Sequence, residues 1–239
     1  MQITTKAIVI SSLKYGDTSL IVKCYTEEAG LKSYLLKGVL KSKKGKLKVA
    51  YFQPLSQLIL EANHKNKGTL ESIREVKTAY AYKTVHTDIK KGAIAMFLSE
   101  MLNVSIVEEE VNQSLFEYLE MAFQWLDAHD QVANFHMLFL LNLTRYLGFY
   151  PDTNDAELPA FSLLDGAFTS SAFELHTISD KNLTLFKRLL GTTFDALNAT
   201  RFSSTDRQQL LTILIEYFEL HLQGFRKPRS LAVLNEVFN

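Results

Sequence analysis

A single cysteine, Cys24, is all the thiol that this 239-residue sequence contains. It can form no internal disulfide, and a four-cysteine zinc site is excluded. Proline is also scarce, with four residues and none between Pro54 and Pro151. Apolar runs are short: Ala7–Ile10 near the start is below the length of a signal-peptide core. Nothing approaches the ~18 apolar residues that span a bilayer. Low-complexity tracts are missing as well, which argues against global disorder. These absences predict a protein of the reducing cytoplasm with no membrane partner.

Catalytic signatures are equally thin. The six histidines (His64, His86, His129, His136, His176, His221) are scattered, without metal-ligand spacing. No G-x-S-x-G occurs. "GVLKSKKGKL" has a superficial likeness to a phosphate-binding P-loop, but six residues separate Gly38 from Gly45, and Leu47 stands where a metal-binding hydroxyl is needed. The acids Glu108, Glu109 and Glu110 precede an expected helix, where they favour its dipole and stay solvated. Cys24 reads as a small core hydrophobe. No nucleophile, base and oxyanion set assembles, so no catalytic residue, metal or cofactor is assigned.

Overall charge is zero, with 26 basic and 26 acidic residues, but it is unevenly placed. Residues 1–82 hold 14 Lys+Arg against 6 Asp+Glu, a balance of +8, and the remainder carries −8. From Ala29 to Leu60 there are seven lysines and no acid. Such a run attracts polyanions or acidic surfaces.

Hydrophobic content is 47% and charged content 22%, an ordinary globular balance. The first third reads as strands: "KAIVISSLKY", "LIVKCYT", "LKSYLLK", "FQPLSQLILEA" and "TLESIREVKTAYAY". In the second, Leu20, Val22 and Cys24 alternate with Ile21, Lys23 and Tyr25. Five short strands in about 80 residues fit a small β-barrel, and the OB-fold is the commonest five-stranded one. After Tyr82 the period becomes helical. Helices are expected at 84–103, 112–128, 131–148, 180–190, 205–224 and 229–238. The third is apolar almost all round, as a buried central helix is. Gly148 and Pro151 mark its end, and Thr205 with Gln208 fits a capping box. Residues 149–178 look irregular. The expected architecture is therefore α+β and multidomain: a five-stranded OB-fold barrel over 1–82, then an all-α helical domain over 83–239.

The lysine loop is the strongest local signal. Lys37, Lys41, Lys43, Lys44, Lys46 and Lys48 lie within it, and Lys65 and Lys67, beside His64, follow the fourth strand. Tyr25 and Tyr34 alternate with Lys23 and Lys32 and could share the outer face of strands two and three. Lysines track phosphates, and tyrosine rings stack bases without regard to sequence. Each tyrosine serves either stacking or half-buried packing. A second basic cluster, Arg226, Lys227 and Arg229, serves either DNA contact or charge at a helix C-terminus. Arg145, Lys187 and Arg188, set among apolar helical residues, are candidate cations for an acidic peptide.

The order of motifs resembles the RecO family of bacterial recombination mediators. The match runs from Tyr15, Gly16, Asp17 and Thr18 through Thr26, Gly30, Lys37 and Gly38, then "QPLSQLIL", "RYLGFYPD" and "IEYFELHLQGFRKPRS". The resemblance implies an OB-fold with a helical domain and binding of single- and double-stranded DNA. It also implies annealing of complementary strands, and loading of the recombinase with the partner RecR onto DNA covered by single-strand-binding protein. Binding of that protein's acidic tail is implied as well, in a cytoplasmic, nucleoid-associated setting. Many members carry a four-cysteine zinc module after the "LGF-x-P" motif. Residues 153–178 here hold no cysteine, and Phe161, Leu163, Leu164, Phe168 and Phe173 are expected to anchor the segment by packing. The competing reading is a protein-interaction adaptor whose barrel binds an acidic partner.

Overall fold

The computed structural model describes residues 1–41, 47–65, 69–107 and 110–238. It divides into two compact units, Met1–His129 and Asp130–Asn239.

In the first unit, β1 (Gln2–Tyr15), β2 (Ser19–Thr26), β3 (Gly30–Leu36), β4 (Gln57–Asn63) and β5 (Ser72–Tyr80) form one sheet in the order β3-β2-β1-β4-β5. Neighbouring strands pair antiparallel. The two edge strands meet at one parallel bridge, Tyr34 to Glu71. There the Leu35 N–H donates to the Glu71 carbonyl at 2.9 Å, and the Glu71 N–H to the Ser33 carbonyl at 2.8 Å. The sheet is thereby curled into the expected OB-fold without full closure. Its interior follows the two-residue period: Leu20, Val22 and Cys24 from β2, Tyr34 and Leu36 from β3, and Leu58, Leu60 and Ala62 from β4. Cys24 is fully buried, and burial pushes its thiol well above the ordinary value.

Two helices, α1 (Ile89–Ser105) and α2 (Gln113–Ala128), belong to the same compact unit. Thus a unit defined by compactness extends past Tyr82. Asp88 caps α1 by accepting from the Lys91 N–H, and Asn112 caps α2 by accepting from the Leu115 N–H, both at 2.9 Å. The chain between β5 and α1 is stapled by Asp127. Its carboxylate accepts the backbone N–H groups of Lys83, Thr84 and Val85 at 2.8–3.1 Å, and the Thr84 hydroxyl at 3.0 Å. The buried Lys91 ammonium donates to the Asp127 carbonyl at 2.9 Å and to Thr84 Oγ1 at 2.7 Å. Of the three acids at 108–110, Glu108 and Glu109 lie outside the described residues.

The second unit is built on α3 (Phe135–Tyr146), buried nearly all round as its composition predicts. Gly148 follows its C-cap at φ +84°, the left-handed conformation that glycine adopts without steric cost. Next come β6 (Ala160–Ser162), β7 (Ala167–Thr169) and β8 (Thr177–Ser179), a sheet in the order β7-β6-β8. An all-α second region is therefore a simplification. Strands of three residues are too short for alternation to show. Helices α4 (Asp180–Leu190), α5 (Ser204–His221) and α6 (Leu231–Val237) complete the unit. The capping box of α5 is Ser203 with Asp206, two residues before the expected pair. Three hydroxyl residues in succession compete for the cap, and the carboxylate three places on selects Ser203.

In the segment after α3, Phe161, Leu163 and Phe168 are buried as expected. Leu164 and Phe173 are not: they are 56% and 101% exposed. No helix among the described residues is long and apolar enough to cross a membrane.

Candidate nucleic-acid interface

Both roots of the lysine run are tied to the barrel. At the entry, the Leu40 N–H donates to the Thr18 carbonyl at 2.9 Å, and the Gly38 N–H to Ser19 Oγ at 3.3 Å. Val39 is buried there. At the exit, the chain makes a 3₁₀ turn over Val49–Phe52, with Phe52 buried and Leu47 and Tyr51 packed on the core. Apolar residues thus anchor the run while Lys37, Lys41 and Lys48 stand exposed to solvent. Lys43, Lys44 and Lys46 lie outside the described residues, as does Lys67. Lys65 is exposed, and its backbone N–H donates to Glu71 Oε2 at 2.7 Å.

The tyrosines expected on an outer face are both buried. Register settles their sides: Tyr34 lies opposite Val22 and Lys32 opposite Cys24, so this pair shares the side of the interior. Tyr34 is 0% exposed, and its hydroxyl meets His64 Nε2 at 2.8 Å. Burial, with smaller contributions from Cys24 and Glu71, raises the phenol far above its ordinary value. His64 is buried too, and burial lowers its pKa against the opposing pull of Glu71. It is therefore no part of an exposed basic loop. Lys32 is half-buried and close enough to His64 to lower its pKa further.

Tyr25 and Lys23 do face outward, but α1 and α2 cover that side. Tyr25 is 1% exposed, its ring is stacked on Phe116, and its hydroxyl donates to the Asn112 carbonyl at 3.3 Å. Lys23 reaches Asn103 Oδ1 at 3.2 Å, and burial lowers its pKa. Two-residue alternation separates the faces of a strand but does not say what will pack on them. A base cannot stack on either tyrosine in this structure.

An exposed aromatic does occur beside the loop. Beyond Ile8, β1 has no β4 partner, and its end projects with Leu13 65% and Tyr15 57% exposed, flanking the exposed Lys14. Its turn includes Thr18, the residue that accepts from Leu40 at the root of the lysine run. The turn "YGDTS" signals the hairpin; the missing partner strand is a tertiary feature and leaves no local mark.

In the second unit, Arg226, Lys227 and Arg229 are exposed. Lys227 pairs with Glu219 at 3.0 Å, a surface contact of little energetic weight. Arg145, Lys187 and Arg188 lie against separate rings: Tyr150 at 3.8 Å, Phe168 at 5.2 Å and Phe202 at 5.1 Å. Lys187 also donates to the Leu158 carbonyl at 3.3 Å.

The four-cysteine module of the resembling family does not fit this chain. Its segment offers a single histidine, His176, whose Nδ1 meets Glu216 Oε1 at 2.7 Å. Packed Phe161, Leu163 and Phe168 occupy the segment. The described residues contain no group of three or more side chains able to hold a metal ion.

Residues 1–82 match the family model described as "Recombination protein O N terminal", and residues 86–231 that described as "Recombination protein O C terminal". The chain is 53% identical over 238 residues to the DNA repair protein RecO of Christiangramia forsetii, covering all of both chains. It is 52% identical to that of Flavobacterium johnsoniae over 240 residues, again at full coverage, and 38% identical to that of Bacteroides fragilis across 98% of each. An OB-fold at one end, a helical region after it and relatives matched along their whole length lead to one conclusion: this chain belongs to the RecO family.

Proposed function

We propose that the protein is a non-enzymatic DNA-binding recombination mediator acting in DNA repair. It binds single- and double-stranded DNA, anneals complementary strands, and with RecR loads the recombinase onto DNA covered by single-strand-binding protein, whose acidic tail it also binds. The observation that carries this reading is the acid-free lysine run on an OB-fold, with Lys37, Lys41 and Lys48 exposed at its roots. Lysine contacts backbone charge without reading bases, which suits a protein that must act on any sequence. Holding two strands on one basic surface lowers phosphate repulsion and raises their local concentration, so annealing needs no cofactor.

In this reading residues 1–82 are the primary DNA-binding domain and 83–239 the helical domain. Lys43, Lys44, Lys46, Lys65 and Lys67 extend the contact, and Arg226, Lys227 and Arg229 offer a second one. Arg145, Lys187 and Arg188 are the cations offered to the acidic tail. The protein works in the cytoplasm, at the nucleoid.

Burial of Tyr25 and Tyr34 favours the second reading, an adaptor whose barrel binds an acidic protein. Titrating the full chain onto a bare mixed-sequence oligonucleotide at several salt concentrations separates the two. The mediator reading predicts binding that weakens linearly in log–log form as salt rises. Binding to a protein partner alone, with none to the oligonucleotide, identifies the adaptor.

A further inference from the structure

Where the lysine run returns to the barrel, the first unit has a cleft of about 190 Å³. Its lining includes Tyr51 from the 3₁₀ turn, Thr78 and Tyr80 from the end of β5, and Tyr82 and His86 beyond it. Tyr82 is held in place: its hydroxyl donates to the Leu55 carbonyl at 2.9 Å, and its ring meets those of Tyr80 and His86 edge-on at 5.5 and 5.3 Å. His86 is fixed through Nε2, 2.9 Å from the Pro54 carbonyl. A carbonyl only accepts, so Nε2 is the donor in this contact. Tyr51 and Tyr80 are half-buried and His86 is exposed, so aromatic surface remains open to a ligand.

Cations flank the cleft. The Lys48 carbonyl accepts from the Tyr51 N–H at 3.1 Å, which places the last lysine of the run one turn from the cleft. Lys83, also exposed, follows Tyr82. Acids stand near as well, each with its own partners: Asp127 and Glu120 act on the Tyr82 hydroxyl, Asp127 accepting from the N–H groups of Lys83, Thr84 and Val85 and Glu120 pairing with Lys6 at 3.0 Å, while Asp88 accepts from the Lys91 N–H. A small slot lined by rings, continuous with cations, suits a planar group attached to a phosphate chain.

We infer that this cleft takes one unstacked base of a single-stranded nucleic acid whose flanking phosphates meet Lys48 and Lys83. The inference rests on the DNA-binding reading above and adds a strand preference to it. Lysines alone hold single and double strands alike. A slot for a free base engages only a strand whose bases are not paired and stacked.

Two variants of the full chain test this. Tyr80→Ala removes one wall, and Thr78→Trp fills the cleft from an exposed strand position. Affinity is measured for a mixed-sequence single strand, the same strand with abasic sites, and the corresponding duplex. Removing one base–aromatic stack corresponds to roughly fivefold to a hundredfold weaker single-strand binding. Both variants are expected to show this weakening with duplex affinity and salt slope unchanged, and the abasic strand is expected to bind both variants and the parent equally. Unchanged single-strand affinity in either variant, shown to be folded by its thermal transition, overturns the inference while leaving the DNA-binding reading intact. Equal weakening on single strand and duplex overturns it too. A parent protein that binds no oligonucleotide sinks the reading and the inference together.

Discussion

Replacing Lys41, Lys43, Lys44 and Lys46 together with alanine is expected to weaken single-strand binding by up to about 10³-fold at 0.1 M salt. Each lysine–phosphate contact on a single strand releases about 0.7 of a counterion, so removing four lysines reduces the log-affinity versus log-salt slope by roughly 3. The effect is expected to be the same for every sequence, because phosphate contacts carry no base information. Stability should scarcely change: Lys41 is exposed, and charges on a loop contribute little to folding. The run has no acid of its own between Ala29 and Leu60 to neutralise it, so little compensation is available within it. Fluorescence anisotropy at four or five salt concentrations, with a thermal melt of each protein, checks the prediction. An unchanged slope in a folded variant reduces the run to a solvated connector.

The largest effect on stability is expected at Asp127. It is 5% exposed, and its carboxylate satisfies three backbone N–H groups and a hydroxyl between β5 and α1. Asp127→Ala leaves those donors without their acceptor in a buried place, at a cost of about 3–5 kcal/mol. Asp127→Asn keeps one acceptor oxygen and is expected to cost less. The pH dependence follows from the same hydrogen bonds. Burial by itself raises the Asp127 pKa, but the hydrogen bonds from Lys83, Thr84 and Val85 outweigh it and hold the carboxyl below its ordinary value. A depressed folded pKa contributes stability that is fully present above the unfolded value, about pH 4, and is lost as pH falls through the folded one. Urea unfolding between pH 3 and 7 should therefore show the parent losing stability below about pH 4 more steeply than Asp127→Asn. Matching pH profiles for the two proteins contradict this role.

Much of the barrel was legible because burial on one side leaves a two-residue mark. Leu20, Val22 and Cys24 alternate in the sequence and share the interior in the fold. The end of α3 was legible because Gly148 adopts a conformation that glycine tolerates best. What escaped depends on distant partners. Tyr25 alternates as a surface residue would, yet Phe116 and Asn112, far along the chain, cover it. Tyr34 looks equivalent to Tyr25 until register puts it opposite Val22, within the barrel. Lys23 carries the same charge as Lys37, but only the latter is exposed, because Asn103 of α1 meets the former. The basic run itself was plain as charge, whereas the cleft beside it draws on two separate stretches, residues 50–58 and 78–86. No single stretch of the chain announces it.

As the proposed mediator, this chain is expected to bring complementary strands together. The most direct test is the rate at which two complementary oligonucleotides form duplex, with single-strand-binding protein absent and then saturating. Faster annealing is expected in both conditions, without nucleotide or added metal, with suppression by high salt. Annealing no faster than in buffer, under conditions where the protein remains folded, would contradict it.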